Sequence, residues 1–555
     1  MKTKIFAAFF LFSFFVFPLF SLSFNDPGDV HELAARLTDA MTDEQALAQT
    51  FMLPWVGAEP SPLIMEWVRS RSIGGVKIFG WNTDDTRTLA RAVGDLQRAS
   101  LATPFGIPLL VATDQEGGLV RHVKGDTSET PGNMAIGASG RPIDAFWAGY
   151  YIGREMALLG VNMNFAPTVD LYTNRDSTLI GPRSFGPDPV EAAILGAAFA
   201  RGHRETGVIA TAKHFPGHGD TPLDSHGVLP RIAVCLDQLW ERELIPYRLL
   251  IREGIPAIMS AHLAFPNTEG GETPASLSRW FLTTLLREKM GFEGLIITDD
   301  LMMHGALNYT RNVAVAAKMA LAAGNDIIML SQTPHLNSQV WTYLLSSMRT
   351  DPEFRERVRD ACRRVLVLKL QHLRGEGKVP FIPDLARVDA GIVDPAGTAF
   401  NLNLAARSVT VFNGGNALPL RPDNAGRVLL AGNFADFFQA GRRAFPAATS
   451  YWYSPARGTA QLLALARNAD TIIFSLSNRA GVNMLQQLRH LNRRVVVFSV
   501  LNPGYLEAVS WADAAVAVYS YAPESFIAGF SAILGRIPGE GVLPFNLSGR
   551  IVYGD

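Results

Sequence analysis

Between residues 30 and 371 the chain alternates short apolar runs with amphipathic stretches. Eight runs, at 49–56, 75–79, 108–113, 161–166, 207–213, 257–262, 294–298 and 326–330, are mostly continuous in their apolar character. Parallel strands buried on both faces read this way, whereas half-buried strands alternate polar and apolar positions. The segments between them, such as 86–100 and the nearly uncharged 313–323, carry helical spacing. Eight strand–helix units across about 340 residues predict a (β/α)8 TIM-like barrel; a doubly wound sheet is the alternative that periodicity leaves open.

From 375 to 395 the composition turns to Gly, Pro and Asp, which reads as a linker between a barrel over 28–374 and a second domain over 396–555. In the second domain RVLLAG, TIIFSLS, RVVVFSV and AAVAVYS read as strands and 459–467 as a helix, predicting a smaller three-layer α/β sandwich. Its NGGN run at 413–416 does not open a helix after a strand as a phosphate-binding turn would, so its expected role is structural.

The first 23 residues differ from all that follows. Lys2 and Lys4 precede an uncharged run from Ile5 to Phe24, and Ser21-Leu22-Ser23 supplies a small-x-small cleavage pattern. The expectation is a cleaved signal peptide and an exported protein, periplasmic or extracellular. An uncleaved anchor is the alternative, and only then would the protein contact a membrane.

Composition narrows the function classes. With 555 residues, 48% of them hydrophobic and 18% charged, the chain is globular and long enough for two cores. A net charge of -1 and the lack of a basic run with interleaved aromatics argue against a nucleic-acid partner. The two cysteines, Cys235 and Cys362, are too few for a Cys-rich zinc site or a disulfide framework; two buried free thiols are expected rather than one bridge.

Barrel enzymes place their chemistry at the carboxyl ends of the strands. Asp114 follows LLVAT, Asp170 follows NFAPTV, Lys213 and His214 follow VIATA, His262 follows AIMSA, and Asp299 and Asp300 follow LIIT. Any one of these could be a helix cap; together they describe a pocket. The densest stretch is KHFPGHGDTPLDSH, residues 213–226. His218, Asp220, Asp224 and His226 could in principle ligate a divalent ion, but the surrounding glycines and prolines make an irregular loop without the i, i+4 pairing of a zincin. No phosphate-loop pattern occurs there. An acid–base device accounts for more of the residues, because Asp224 two positions before His226 can accept an imidazole N–H and fix its tautomer. A histidine so held can protonate a leaving oxygen and then deprotonate water. Asp299, across the pocket, is the candidate nucleophile.

GVNMNFAPTVDLYTNRDSTLIGPRSFG, KHFPGHGDTPLDSHGVLP and GLIITDDLMMHGA closely resemble the β-N-acetylglucosaminidases (β-hexosaminidases) of glycoside hydrolase family 3, over the whole barrel. AARSVTVFNGGNALPL and GRIPGEGVLPFNL resemble the opening and closing segments of the second domain in two-domain members. Other branches draw a glutamate acid/base from elsewhere, so the Asp-Ser-His loop favours the N-acetylglucosaminidase branch. The resemblance implies Asp299 as nucleophile, His226 as acid/base, Asp224 as its partner, and sugar contacts from Asp114, Arg183, Lys213 and His214. It implies no cofactor and no metal. One departure stands out. Where the family reads x-V-x-R after DQEGG, this chain reads Leu119-Val120-Arg121-His122, so His122 occupies the arginine's place, with Arg121 one position early.

The resemblance implies retaining hydrolysis of terminal β-linked GlcNAc through a covalent aspartyl-glycosyl intermediate, on peptidoglycan fragments or chitooligosaccharides. Because imidazole repels an anionic acceptor less than a carboxylate would, a β-glycoside phosphorylase is an alternative. So are a β-glucosidase of the same family, a non-catalytic exported sugar-binding protein and a metal-dependent hydrolase.

Overall fold

The structure, a computed structural model, describes residues 22–413, 417–454 and 459–547. The expected leader lies outside the described residues except for its last two positions, as do positions 414–416 of the NGGN run.

Successive side chains of a strand point to opposite faces, and in the barrel both faces are apolar. Met52, Leu110, Met163, Ile209, Ile297 and Met329 fall in one buried cluster. Their strand neighbours Phe51, Val111, Ala210, Ile258, Ile296 and Ile328 fall in another, shared with the surrounding helices. A sheet with two such faces is filled within and covered outside, and it closes on itself. The strands are β1 Phe51–Pro54, β2 Gly75–Lys77, β3 Leu110–Thr113, β4 Met163–Asn164, β5 Ile209–Phe215, β6 Ala257–Ser260, β7 Leu295–Asp300 and β8 Ile327–Met329. Each is parallel to the next and β8 returns to β1, so the sheet is a closed barrel and not doubly wound. All eight lie within or across the apolar runs of the sequence.

The intervening helices start and stop where local chemistry dictates. Helix Val313–Ala323 opens on Asn312, whose side chain accepts the Ala314 N–H at 2.7 Å, and closes on Gly324 at φ 127°, a conformation that favours glycine. Among the described residues no helix is long and apolar enough to cross a membrane. The cysteines are unbridged: Cys362 is buried and its thiol is pushed up to about 12 by desolvation, whereas Cys235 is only half-buried, against the expectation that both would be buried.

In the second domain a six-stranded sheet runs in the order β9-β14-β13-β12-β10-β11, with β9 Thr410–Asn413, β10 Val428–Gly432, β11 Thr449–Trp452, β12 Thr471–Leu476, β13 Arg494–Ser499 and β14 Ala514–Ala517. Only β9 is antiparallel, against β14. Alternate residues again divide. Leu429, Ile472, Phe474 and Val497 pack with helices Ala460–Arg467 and Arg479–Leu488; Leu430, Ile473, Val496 and Phe498 pack with Ala435–Ala444 and Pro523–Ile533. This is the three-layer sandwich expected. The two outer strands β9 and β11 were not foreseen, because each has mostly exposed or half-exposed positions and no continuous apolar run.

The first of these layers continues into the barrel, since Met134, Ala135, Ala138 and Tyr172 belong to the same buried cluster as Leu429 and Phe474. The Tyr172 hydroxyl accepts from Asn502 Nδ2 at 2.8 Å and donates to the Arg175 carbonyl at 2.7 Å. Arg407 clamps the buried Asp144 with two bonds of 2.6 and 3.1 Å. The second domain is therefore seated against helices Asn133–Ser139 and Pro142–Leu158 and against the segment that follows Asp170.

Strand β4 is only two residues long, and asparagine side chains extend its ladder. Asn162 Oδ1 accepts the Val111 N–H at 2.8 Å, and Asn164 Oδ1 accepts the Gln115 N–H at 2.9 Å while its Nδ2 donates to the Gln115 carbonyl at 2.9 Å. The Gln115 pairings fix the backbone next to Asp114. Replacing Asn164 by Ala leaves two buried backbone groups unpaired, at about 1–3 kcal/mol each. Urea denaturation of Asn164→Ala should show a loss of roughly 2–4 kcal/mol; an unchanged midpoint would contradict this role.

Candidate active site

The inward-facing rows of three strands end in charged groups. On β2 the row is Gly75 then Lys77; on β5 it is Ile209, Thr211, Lys213; on β7 it is Leu295, Ile297, Asp299. Each charge thus continues an apolar column of the barrel interior at its carboxyl end. On β5 the pairing with β6 slips between Ala212 and Phe215, an irregularity that allows both Lys213 and His214 to serve the site despite their adjacency.

Two carboxylates and three cations interlock at the mouth of the barrel. Asp114 is bonded to the Lys213 ammonium and lies 2.8 Å from the Lys77 ammonium. Glu116 takes Arg183 in a two-bond fork of 2.9 and 2.7 Å and also lies 2.6 Å from Lys213. Burial opposes ionisation of Glu116, but Arg183 and Lys213 override it and hold the carboxyl down at about 2. Asp114 is held well below the ordinary carboxylate range by Lys213 and Lys77, again against its burial. For Lys213 the balance reverses: burial favours the neutral amine, and Asp114 and Glu116 outweigh it and raise its pKa. Desolvation wins at Lys77, whose pKa is lowered although Asp114 supports its charge.

His122 belongs to this cluster. Its Nδ1 lies 3.1 Å from the Lys77 Nζ and 3.5 Å from Asp114. An ammonium can only donate, so Nδ1 accepts and the ring proton resides on Nε2. Burial and the Lys77 charge push His122 down to about 4, so it is neutral at physiological pH. Arg121 turns elsewhere, onto Glu129 and the Thr127 carbonyl. Arg121 therefore does not reach into the pocket; the cations beside Asp114 are Lys77 and Lys213.

His214 Nδ1 bonds Asp170 at 2.6 Å, and Asp170 also accepts the His218 backbone N–H at 2.6 Å. Burial would raise the Asp170 carboxyl; these partners bring it to about 2. With Nδ1 spent on Asp170, His214 turns Nε2 toward Arg183, 3.4 Å away. His262 is buried between Ser276 Oγ at 2.7 Å and the Asp300 carbonyl at 2.9 Å, so it braces the end of β7.

The two adjacent acids on β7 are not equivalent. Asp300 accepts the Met302 and Ser331 N–H groups at 2.9 Å each, which ties it to the following loops. Among the described residues the Asp299 carboxylate accepts only the Asp300 N–H, at 2.8 Å, leaving lone pairs open to the pocket. Burial would raise the Asp299 pKa, but His214, His262, the Asp300 amide and Lys213 hold it below the usual value. A carboxylate kept ionised with open lone pairs is what nucleophilic attack requires.

The Asp224–His226 pair forms as the sequence suggested. Asp224 Oδ1 accepts both the His226 backbone N–H at 2.8 Å and Nδ1 at 2.7 Å, which leaves Nε2 to face outward on a side chain 66% exposed. The Asp224 carboxyl is lowered by these bonds, against a smaller solvation than in water. The loop is anchored at three points: Gly305 N–H donates to the Ser225 carbonyl at 2.9 Å, His304 Nδ1 lies 2.8 Å from the His226 carbonyl, and His218 Nε2 lies 3.0 Å from Ser225 Oγ. Gly219 allows the loop to turn against the barrel, since a Cβ there would fall 1.5 Å from the Leu171 carbonyl oxygen. Gly305 and His304 open the segment just after β7, so these anchors tie the Asp224–His226 loop to the strand that carries Asp299.

For the metal alternative, Asp220 is paired with Arg242, the His218 ring is directed at Ser225 Oγ and Asp224 is bonded to His226, so the four side chains do not converge. Lys77 and Glu116 were missing from the sequence reading. A lysine breaking the apolar run GVKIF was the available signal for Lys77, and the acid in DQEGG for Glu116.

Residues 43–368 match the family described as glycosyl hydrolase family 3 N terminal domain. A beta-hexosaminidase A of Pseudoalteromonas piscicida is 30% identical over 385 residues, covering 66% of this chain and 63% of the relative. A beta-hexosaminidase of Tolumonas auensis is 37% identical over 282 residues, covering 50% of this chain and 81% of the relative. Among solved structures, a glycoside hydrolase family 3 beta-N-acetylglucosaminidase from a Paenibacillus species superposes with a TM-score of 0.83 at 26% identity, over 92% of this chain and 100% of that one.

The ion network predicts an acid limb of stability. Glu116 and Asp170, both near 2 when folded, bind protons more readily when unfolded, so stability is fully present above about pH 5 and is lost as pH falls from about 4 toward 2. Each contributes on the order of 2–3 kcal/mol. Urea melts at pH 7, 5, 4 and 3 should show that fall, and Glu116→Gln and Asp170→Asn should each show a shallower one. Equal slopes in wild type and variants would contradict the assignment.

Proposed function

Since the chain belongs to glycosyl hydrolase family 3, we propose that it is a retaining exo-β-N-acetylglucosaminidase, with Asp299 as nucleophile and Asp224–His226 as acid/base. The observation that carries the reading is the contrast on β7: Asp300 is consumed by the Met302 and Ser331 amides, while Asp299 is held ionised with lone pairs free. The outward Nε2 of His226 supplies the second group the reaction needs.

In the first step an Asp299 oxygen forms a bond to the anomeric carbon as the glycosidic C–O bond breaks, and His226 gives its Nε2 proton to the departing oxygen. Asp224 accepts from Nδ1 and stabilises the imidazolium that precedes this transfer. In the second step His226 Nε2 takes a proton from water, the water oxygen bonds the anomeric carbon, and the Asp299 ester breaks. Two inversions restore the β configuration. Retaining enzymes set their two groups about 5–5.5 Å apart, with a carboxylic acid where this chain has imidazole.

Asp114, Glu116, Lys213, Arg183 and His214 offer acceptors and donors in a buried, fixed array suited to several sugar hydroxyls and an N-acetyl carbonyl. Neutral His122 and the Lys77 ammonium replace the arginine expected at that corner. The substrate class we assign is a short GlcNAc-terminated glycan, from peptidoglycan or chitin. The amino-terminal leader pattern supports action outside the cytoplasm.

Purified protein should release p-nitrophenol from the β-GlcNAc glycoside in preference to the β-glucoside, equally with and without EDTA. Glucoside preference would overturn the specificity, and loss with EDTA would overturn the metal-free mechanism. Asp299→Ala should abolish turnover. Asp224→Ala should lower kcat by about 10²–10⁴ with the thermal midpoint little changed; full activity in either variant would contradict the assigned roles.

A further inference from the structure

The loop after β2 is built around an exposed indole. Trp81 is 48% exposed, yet its position is fixed. Its Nε1–H donates to the Trp55 carbonyl at 2.9 Å. The next residue, Asn82, is fully buried and donates to the Trp55 and Gly57 carbonyls at 3.0 and 2.6 Å while accepting the Phe79 N–H at 2.9 Å. The indole stacks on Phe79 with centroids 4.4 Å apart and planes 14° from parallel. Stacking and hydrogen bonds thus spend one face and the polar edge of the indole and leave the remaining surface in water.

Phe79 joins this surface to the polar pocket. The Lys77 ammonium lies 4.5 Å from the Phe79 ring centroid and the His122 ring 5.6 Å from it. From Asp114 the order outward is Lys77, Phe79, Trp81: charge, then a half-buried ring, then an exposed ring. Val56, on the loop after β1, extends the apolar rim at 78% exposure.

We infer that the exposed face of Trp81 is a subsite for the second pyranose ring of a β-linked glycan whose terminal sugar occupies the neighbouring polar pocket. This rests on the glycosidase reading above and names the substrate class more closely: glycans of two or more rings, in preference to alkyl glycosides. A pyranose with equatorial hydroxyls turns axial C–H groups to its faces. Such a face packs on an aromatic ring, with its slightly positive C–H groups against the negative π-face and its hydroxyls left in water. The terminal ring has hydroxyls to satisfy and is suited to the buried charges. The next ring lies beyond those charges, where the surface offers an aromatic face instead of hydrogen-bonding groups.

The test is calorimetric binding of GlcNAc and of N,N′-diacetylchitobiose to the Asp299→Asn protein, with and without changes at Trp81. Trp81→Ala should weaken disaccharide binding roughly tenfold or more and leave GlcNAc binding within about twofold. Trp81→Phe should retain most of the disaccharide affinity, and Trp81→Leu, which keeps apolar bulk, serves if the Ala variant does not fold. Equal losses for both sugars, no loss for the disaccharide, or no disaccharide binding to the parent would each overturn the subsite. Disaccharide binding that depends on Trp81, in a protein whose Asp299 form hydrolyses no GlcNAc glycoside, would leave the subsite standing and sink the hydrolase reading instead.

Discussion

The site depends on keeping five charged groups together where water is nearly excluded. Moving one ion out of water costs several kcal/mol even after relaxation, so none of Asp114, Glu116, Lys77, Lys213 or Arg183 is stable there alone. They are held by each other, through a geometry that the closed barrel imposes. Strands β2 and β5 and the residue after β3 bring Lys77, Lys213 and Asp114 to one level. The antiparallel segments Gln115–Gly117 and Val120–Arg121 carry Glu116 and, one residue on, His122 to meet them, and the helical turn Gly181–Arg183 supplies Arg183. Three cations face two carboxylates, and the surplus positive charge helps to keep Asp299 ionised. A ligand that enters meets donors and acceptors already oriented, which is how a rigid site lowers the cost of binding.

The Asp224–His226 pair is organised on a different principle. Asp224 and His226 lie on an irregular loop and are the more exposed of the functional groups, with one carboxylate oxygen serving both the backbone and the imidazole. Local hydrogen bonds, not burial, fix the tautomer. The anchors at Ser225 and at the His226 carbonyl reach the helix His304–Thr310 just after β7, so the pair is positioned from the strand that carries Asp299. The two groups of the proposed reaction therefore share one structural reference while differing in solvation, which suits a nucleophile kept charged and an acid/base that exchanges a proton with water.

Much of this was legible in the residues. Strands buried on both faces leave continuous apolar runs, and all eight barrel strands announced themselves that way. The edge strands β9 and β11 of the second domain did not, because half of an edge strand faces water and its pattern weakens. At the candidate site, clustering at strand ends singled out Asp114, Lys213, His214 and Asp299, and the Asp-Ser-His spacing singled out Asp224 and His226, which the structure joins by a hydrogen bond. Lys77 was lost inside an apolar run; its importance depends on the inward parity of β2 and on a neighbour 45 positions away, His122. Asp170 and His262 were legible as strand-end groups but not as supports for His214 and Asp300, since that distinction is one of hydrogen-bond partners.

The central claim is that Asp299 attacks the anomeric carbon directly and that His226 serves both steps. Proton NMR of the sugar released from a β-GlcNAc substrate, recorded in the first minutes before mutarotation, tests it most directly. The account predicts that the β-anomer appears first. Initial release of the α-anomer would mean a single inverting displacement by water, and the assignment of Asp299 as nucleophile would be wrong.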